Sequence, residues 1–564
     1  MMNNKLQINK IIEKYPIAAV CLFAFICLFP AMLLRDFTPS NELRYLSIAD
    51  EAIAGGNIFA FTNHGVPYAD KPPLYFWIVM LCRLIFGHHS CFALSLFSLV
   101  PAFVIVNVMD KWVMSKAPVA DRMAAALMLL TCGMFLGTAV VLRMDMLMCM
   151  FIVLALRSFY RIYTGEDVSG KESWMLPVWT FMALFTKGPV GLIVPPLGIL
   201  VFLVVKGKWR ETGRYLGWKT WGVIAVLFAL WILAAFLDGG KEYINNLLFK
   251  QTVGRAVNAF THNKPFWFYL AAIWWSVAPY CLLLVGAFVT SLLPAGRKSH
   301  PQGERCDFIP ASAVRSDAEV LFVCVIAATF VMLSSFSSKL PVYLCPIFPF
   351  MVYLFPMVLE RTGGRRWMGW AIGIPVAILA VAGLAASVAL SGLVRIEALD
   401  ALLEQYPFVS TISVKIAVLL LFAGNALALY VLVSKKIWNL PIFLTGASMM
   451  LMIYAASCVI GQVNPYIGYG PICSAVPGDS DVAVLYMRRP ENMDVYLGRD
   501  VTDYRKDVDS FIKDLGSRTK GSAPLTLLIT ADRMQKSEEL MRIVNERGTC
   551  TFSGPYCAVT FRQD

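Results

Sequence analysis

The chain has 564 residues, of which 58% are hydrophobic and only 15% charged, with a mean hydropathy of +0.64. A soluble chain of this length carries about 25% charged residues, so a soluble globular enzyme is excluded. The net charge of +12 says nothing about nucleic acid until it is mapped onto a topology, because the excess Lys and Arg of a polytopic protein collects in its cytoplasmic loops.

The N-terminus, MMNNKLQINKIIEKYP, is basic and leads into an uncharged run from Pro16 to Leu34. No small-residue cleavage site follows; Arg35-Asp36-Phe37-Thr38-Pro39 comes instead. The run therefore reads as a retained first span with its N-terminus inside. Further runs of spanning length lie at 90–109, 123–142, 146–163, 217–237, 267–293, 319–336, 340–359, 368–390, 412–433 and 441–459, each near the roughly 20 residues that cross a bilayer. Residues 74–86 contain Arg83 and follow Pro72-Pro73; that length predicts an interfacial helix rather than a span. Residues 174–205 are broken at Lys187-Gly188-Pro189 and read as two short spans meeting at a turn.

Charge decides between the topologies. With 74–86 flat on the outer face, the inner segments hold 23 Lys and Arg, among them Lys111, Arg122, Arg157, Arg161, Lys206, Arg210, Arg361 and Lys435. Only 13 lie outside before residue 461, in much longer loops. Making 74–86 a full span inverts everything downstream and breaks the positive-inside bias. Thirteen spans are expected, with the N-terminus inside and the C-terminus outside.

Beyond about Gly461 charged residues become frequent, and the short runs DVAVLYM, PLTLLIT and CAVTF alternate with helix-like stretches such as SEELMRIVNER. This predicts a small α/β domain over 461–564, separate from a membrane domain over 1–460 whose first outer loop is 36–89. The 14 Cys contain no CxxC pair and sit mostly inside apolar runs, which points to packing rather than a disulfide framework or zinc site. Cys550 and Cys557 are open to two readings, a pair in an oxidising compartment or two free thiols.

In that topology the polar residues hardest to explain structurally all fall on the outer face. The first outer loop carries Asn41, Glu42, Arg44, Asp50, Glu51, His64, Asp70 and Lys71; a solvated amphipathic surface accounts for Asp50 and Glu51. Arg143 and Asp145 end an apolar span in LRMDMLM, where an ionisable residue is a functional candidate and a bare structural pair the competing account. Lys187 stands at the break in LFTKGPVG; snorkelling explains a lone Lys, but the following Gly-Pro suggests a break facing a cavity. The loop KQTVGRAVNAFTHNKPFW brings Arg255 and His262, and FSSKLPVYLCPIFP brings Lys339. Lys71, Arg143, Lys187, Arg255 and Lys339 thus place cations on the face that should be charge-poor, which suggests an anionic phosphate or pyrophosphate headgroup.

These motifs resemble a known family. E-x-R-Y around Glu42, Arg44 and Tyr45, then KPPLYFW, R-x-D-M, KGPVG, H-x-KPFW-x-Y and S-x-KLP-x-Y, in this order over roughly residues 35–350, are similar to the aminoarabinose lipid A transferase type of GT-C glycosyltransferase, related to the protein O-mannosyltransferases. The resemblance implies a polytopic α-helical membrane protein of about 13 spans with a small extracytoplasmic α/β domain, in the bacterial inner membrane. It implies inverting transfer of a sugar from undecaprenyl phosphate, with 4-amino-4-deoxy-L-arabinose onto lipid A as the leading expectation. A protein or other glycan acceptor is the alternative within the class, and a lipid-linked anion transporter or flippase the alternative outside it. By the same resemblance Lys71 and Arg255 are donor-phosphate ligands, Lys187 and Lys339 supporting cations, and Asp145 the second characteristic acid. Asn41 stands where the family usually has Asp, leaving Glu42 and Asp145 as the motif carboxylates. No cofactor is expected with certainty; Asp70 and His262 are either a hydrogen-bonded pair or two ligands of a divalent metal, too few to commit to the metal.

Overall fold

The structure, a computed structural model, describes residues 13–248, 264–293, 315–364, 366–394, 397–518 and 523–561. It divides into two units. One comprises residues 1–30, 69–75 and 95–456; the other comprises 31–68, 76–94 and 457–564.

The first unit is helical. Among the described residues nine helices are long and apolar enough to cross a membrane, and a bent pair makes a tenth. Every one of the thirteen expected runs is helical, yet several fall short of a straight span. Val119–Leu130 and Gly133–Val140 meet at 70°. Glu172–Lys187 has 16 residues, Pro189–Val205 has 17, and the run over 267–293 is split into Phe268–Ser276 and Cys281–Leu292. The breaks find partners elsewhere in the chain. Two of them satisfy each other's freed backbone and side-chain groups: the Gly133 amide donates to the Ala278 carbonyl at 2.9 Å, and Thr131 Oγ1 and the Tyr280 hydroxyl lie 2.8 Å apart. Interruptions inside a bilayer persist only where the freed groups find such partners.

Burial separates interior from perimeter. In Pro341–Thr362 83% of the apolar window is buried, against 22% in Trp218–Leu248 and in Ile412–Lys435. The exposed residues of the latter kind include Leu230, Leu233, Phe236 and Leu419, an apolar surface suited to hydrocarbon. The buried carboxylates are paired. Arg122 meets Asp110 at 2.6 Å, and Arg361 meets Glu319 at 3.0 Å with Ser291 donating to the same carboxylate. The chain is a multi-pass membrane protein.

The second unit holds a five-stranded sheet and two segments that run on from the end of the first apolar helix, 31–68 and 76–94. Strands β1 (Thr62–Asn63) and β2 (Val66–Pro67) form a small hairpin; β3 (Asp481–Leu485), β4 (Thr502–Asp503), β5 (Leu525–Thr530), β6 (Gly548–Ser553) and β7 (Tyr556–Phe561) form the sheet in the order β4-β3-β5-β7-β6. β3 runs parallel to both β4 and β5, while β7 is antiparallel to β5 and β6. The three apolar runs read from the sequence are β3, β5 and β7; the short β4 and the half-exposed β6 carry too little apolar pattern to stand out. Helices Val508–Ser517 and Glu538–Arg547 are capped by Asp507 and Ser537 and bury Phe511, Leu540 and Val544 against the sheet. Cys550 and Cys557 lie on neighbouring strands as free thiols.

The loop segments are tied into this unit by hydrogen bonds of high sequence separation. Asp36 accepts from the Gly470 amide at 2.8 Å and from the Tyr496 hydroxyl, and Asn464 bonds the backbone of both Leu34 and Asp36. Ser47 donates to Asp494 at 2.8 Å, with His64 3.7 Å from the same carboxylate. Burial, partly offset by the Ser47 bond and by His64, holds the Asp494 carboxyl above the usual range. Leu74–Phe86, the expected interfacial helix, is a 13-residue helix that buries Tyr75, Phe76 and Val79 and leaves Leu81, Leu84, Ile85 and Phe86 exposed.

Candidate functional site

The strongest cluster in the first unit is built at three chain breaks. The span that begins at Asp145 is preceded by an extended Val141, and Ser98 Oγ donates to the carbonyls of Val141 and Arg143 at 2.9 and 3.3 Å. Asp145 is therefore the first residue of helix Asp145–Thr164, where the helix dipole favours a carboxylate. Lys187 is the last residue of Glu172–Lys187, where the dipole favours a cation. The sequence KGPVG makes that second break. Gly188 has φ 114°, a conformation open to glycine, and Pro189 starts the next helix at N1. A Cβ on Gly191 would lie 2.3 Å from the Ala183 carbonyl carbon, so the two short helices pack backbone to backbone only because residue 191 has no side chain.

These ends meet in one network. Asp145, 2% exposed, accepts from Arg143 Nε at 3.1 Å on one oxygen and from Lys187 Nζ on the other. Lys187 also lies 4.6 Å from the centre of the Tyr343 ring. Tyr343 belongs to the third break, the 3-10 turn Pro341–Ile347 that follows Lys339. That turn is anchored by Cys149 donating to the Cys345 carbonyl and by the Tyr269 hydroxyl donating to the Leu340 carbonyl. Lys339 is 3% exposed and donates to the carbonyls of Lys264 and Phe336. One carboxylate thus stands between Arg143 and Lys187, and the Arg143 side chain is left partly exposed.

In the second unit the motif residues occupy the start of helix Glu42–Gly55. Glu42 is fully buried, and both its oxygens are taken. Arg35 binds them at 2.8 and 2.9 Å, and the Thr38 amide and hydroxyl add bonds of 2.7 and 2.9 Å to Oε2. Asn41 makes no capping bond; its Oδ1 accepts from Arg44 at 3.1 Å. Arg44 in turn stacks near Tyr45 and Tyr68, at 5.9 and 5.3 Å from the ring centres, and Tyr45 packs edge-on against Phe76.

Lys71 is half-buried ahead of Pro72-Pro73. Arg255 and His262 lie outside the described residues, as does one half of the Asp70–His262 pair. Among the described residues no group of three or more His, Cys, Asp or Glu could hold a metal ion. Sequence reasoning missed Arg35 and Ser98, and it gave no role to Tyr343, the last residue of S-x-KLP-x-Y. Arg35 stood just after the first apolar run as a visible cation, but nothing local marks Ser98.

No family model matches the chain. It is 26% identical over 289 residues, covering 49% of this chain and 50% of the relative, to the undecaprenyl phosphate-alpha-4-amino-4-deoxy-L-arabinose arabinosyl transferase of Enterobacter sp. (strain 638). It is 25% identical over 389 residues, 67% of this chain and 65% of the relative, to the protein of that name from Edwardsiella ictaluri. The chain thus spans about half to two thirds of the length of these relatives. Its fold is similar to the crystal structure of ArnT from Cupriavidus metallidurans bound to undecaprenyl phosphate, with a TM-score of 0.71 and 18% identity over 96% of this chain and 97% of that one. Against the apo structure of the same protein the TM-score is 0.67. At such identity the likeness establishes the fold, which is a GT-C-type membrane fold with a small C-terminal sheet. In sequence, the chain resembles the aminoarabinose arabinosyl transferases.

Proposed function

We propose that this chain is a glycosyltransferase of the bacterial inner membrane that transfers a sugar from polyprenyl phosphate to an acceptor at the outer face. The favoured pair is 4-amino-4-deoxy-L-arabinose on undecaprenyl phosphate as donor and lipid A as acceptor. The observation that carries the reading is the Arg143–Asp145–Lys187 network at converging chain breaks, in a fold whose solved relative holds undecaprenyl phosphate. The relatives' names supply the sugar. Placement of the N-terminus inside and the C-terminus outside rests on the charge bias of the loops.

A polyprenyl phosphate is a good leaving group, so the protein's task is to hold it, neutralise its charge and align the acceptor. Lys71 and Arg255 are assigned to the donor phosphate, and Lys187, Arg143 and Lys339 to the surrounding field; cations fixed in advance at developing charge are usually the largest catalytic term. Asp145 orients Arg143 and Lys187 rather than standing free. Glu42 is saturated by Arg35 and Thr38, and residue 41 is an amide. With both motif acids engaged, no carboxylate of the motif is free to deprotonate a hydroxyl. An acceptor phosphate, already ionised, needs orientation instead of a base, which favours lipid A over a sugar or Ser/Thr hydroxyl.

The test is transfer in detergent from a radiolabelled undecaprenyl-phosphate sugar to lipid A, to dephosphorylated lipid A and to a hydroxyl-bearing peptide. Label should move to lipid A alone. Label on the dephosphorylated acceptor or the peptide would reject the phosphate-acceptor reading, and no transfer to any acceptor with donor bound would reject the enzyme.

A further inference from the structure

We propose a second anion site, outside the transfer site, at the carboxyl ends of β3, β4 and β5, taking the phosphoryl group of a phosphorylated saccharide or lipid. The topology creates the place. After β3 the chain crosses to β4 on one side, then returns past β3 to β5 on the other. In open parallel sheets the crevice beyond the carboxyl ends of strands at such a reversal is the ordinary ligand position.

The loops there are unusual in three respects. Five non-glycine residues have positive φ among the described residues, and three of them, Tyr486, Arg489 and Arg505, fall in the loops that follow β3 and β4. For a residue as bulky as Tyr this conformation is strained, and such strain concentrates at ligand sites. Tyr486 is the hub: its amide donates to the Arg505 carbonyl at 2.6 Å, its hydroxyl to the Lys506 carbonyl at 3.3 Å, and the Arg533 guanidinium lies 5.5 Å from its ring centre. The three strand ends therefore bring Arg505, Lys506 and Arg533 to one edge.

The nearby acids are already committed. Asp503 accepts from the Arg505 amide, Asp507 caps the next helix through Ser510, Glu491 lies 3.7 Å from Arg489, and Asp532 pairs with Lys536. Among the described residues Arg505, Lys506 and Arg533 pair with no carboxylate, and the amides of Met487, Arg488 and Arg489 donate to nothing. A run of undirected amides beside a left-handed residue, rimmed by Arg, is the chemistry that cradles a phosphate. An ordinary solvated charged face explains the exposure of these cations, but not the three left-handed residues gathered beside them.

The experiment uses the full chain in zwitterionic nanodiscs and follows hydrogen exchange of the peptides covering 486–490 and 504–507. Its arms are glucose 1-phosphate, glucose, and nanodiscs doped with phosphatidic acid. Protection by glucose 1-phosphate identifies a soluble phosphorylated ligand, and protection by phosphatidic acid alone identifies a lipid headgroup. Either supports the site. The combined Arg505→Gln and Arg533→Gln variant should weaken binding tenfold or more, while Arg542→Gln, on the helix Glu538–Arg547, should not. Lys187→Ala, which strikes the proposed transfer site, should leave this protection intact, so the two readings fail separately. No protection in either phosphate arm, equal protection by glucose, or full binding in the combined variant would overturn the proposal.

Discussion

Asp145→Asn is the most informative single change. Asn keeps the volume and one acceptor oxygen but removes the charge that Arg143 and Lys187 share. The two partners are unlike in exposure: the Lys187 side chain is 10% exposed and that of Arg143 is 30% exposed. Stranding a buried partner costs about 3–5 kcal/mol, whereas a solvent-screened pair contributes only about 0–1 kcal/mol. Lys187 sits over Tyr343 before and after the change, so that contact cancels. The net expectation is a loss of about 3–5 kcal/mol of stability, nearly all of it through Lys187. It follows that Lys187→Met should remove most of the penalty when combined with Asp145→Asn, and that Arg143→Gln should not. The assay is a double-mutant cycle on unfolding in mixed detergent, run beside single-turnover transfer and donor binding. Turnover should fall much further than donor affinity, since the displaced cations act on charge that develops in the transition state. A loss below about 1 kcal/mol together with full turnover would refute the argument, because a network so buried cannot be both intact and irrelevant.

Glu42→Gln breaks the paired bonds with Arg35 and should lower detergent stability by about 3–5 kcal/mol; a fully stable variant with slowed transfer would instead point to a base. Lys71→Ala and Arg255→Ala should each cut transfer at least tenfold at matched expression, the equivalent of about 1.5–3 kcal/mol per charged contact, read in the radiolabel assay. Acid should loosen the helix Val508–Ser517. Bonds from Ser510 hold the Asp507 carboxyl below the usual range, so its contribution is present above the unfolded value and is lost as pH falls through the folded one. Asp507→Ala should abolish that pH dependence of exchange in the helix. A reporter active only outside the cytoplasm should work when fused after Asp564, and a cytoplasm-only reporter should not.

The apolar runs and the breaks between them were legible in the sequence because both are local. A bilayer imposes length and apolarity on each segment separately, and Gly188-Pro189 stops a helix through its own backbone whatever surrounds it. The strands β3, β5 and β7 and the capped helix Glu538–Arg547 were legible for the same reason. The thirteen expected spans exceed the nine or ten long apolar helices partly for a tertiary reason: the breaks at 131–133 and 277–280 persist because they bond each other across almost 150 residues. The candidate site divides in the same way. Arg143, Asp145 and Lys187 could be singled out as charges in apolar surroundings, but their joining across 42 residues could not, nor could the approach of Lys187 to Tyr343, which the sequence offered only as a motif residue. Glu42 looked like a free acid in its motif, and only packing shows Arg35 and Thr38 filling both oxygens. Composition placed a change near Gly461, yet residues 31–68 and 76–94 share a unit with the C-terminal sheet through Asp36, Asn464 and Tyr496. Solvation and backbone preference act residue by residue and leave their pattern in the sequence; a hydrogen bond between residues hundreds of positions apart has no local energy and exists only once the fold has brought its partners together.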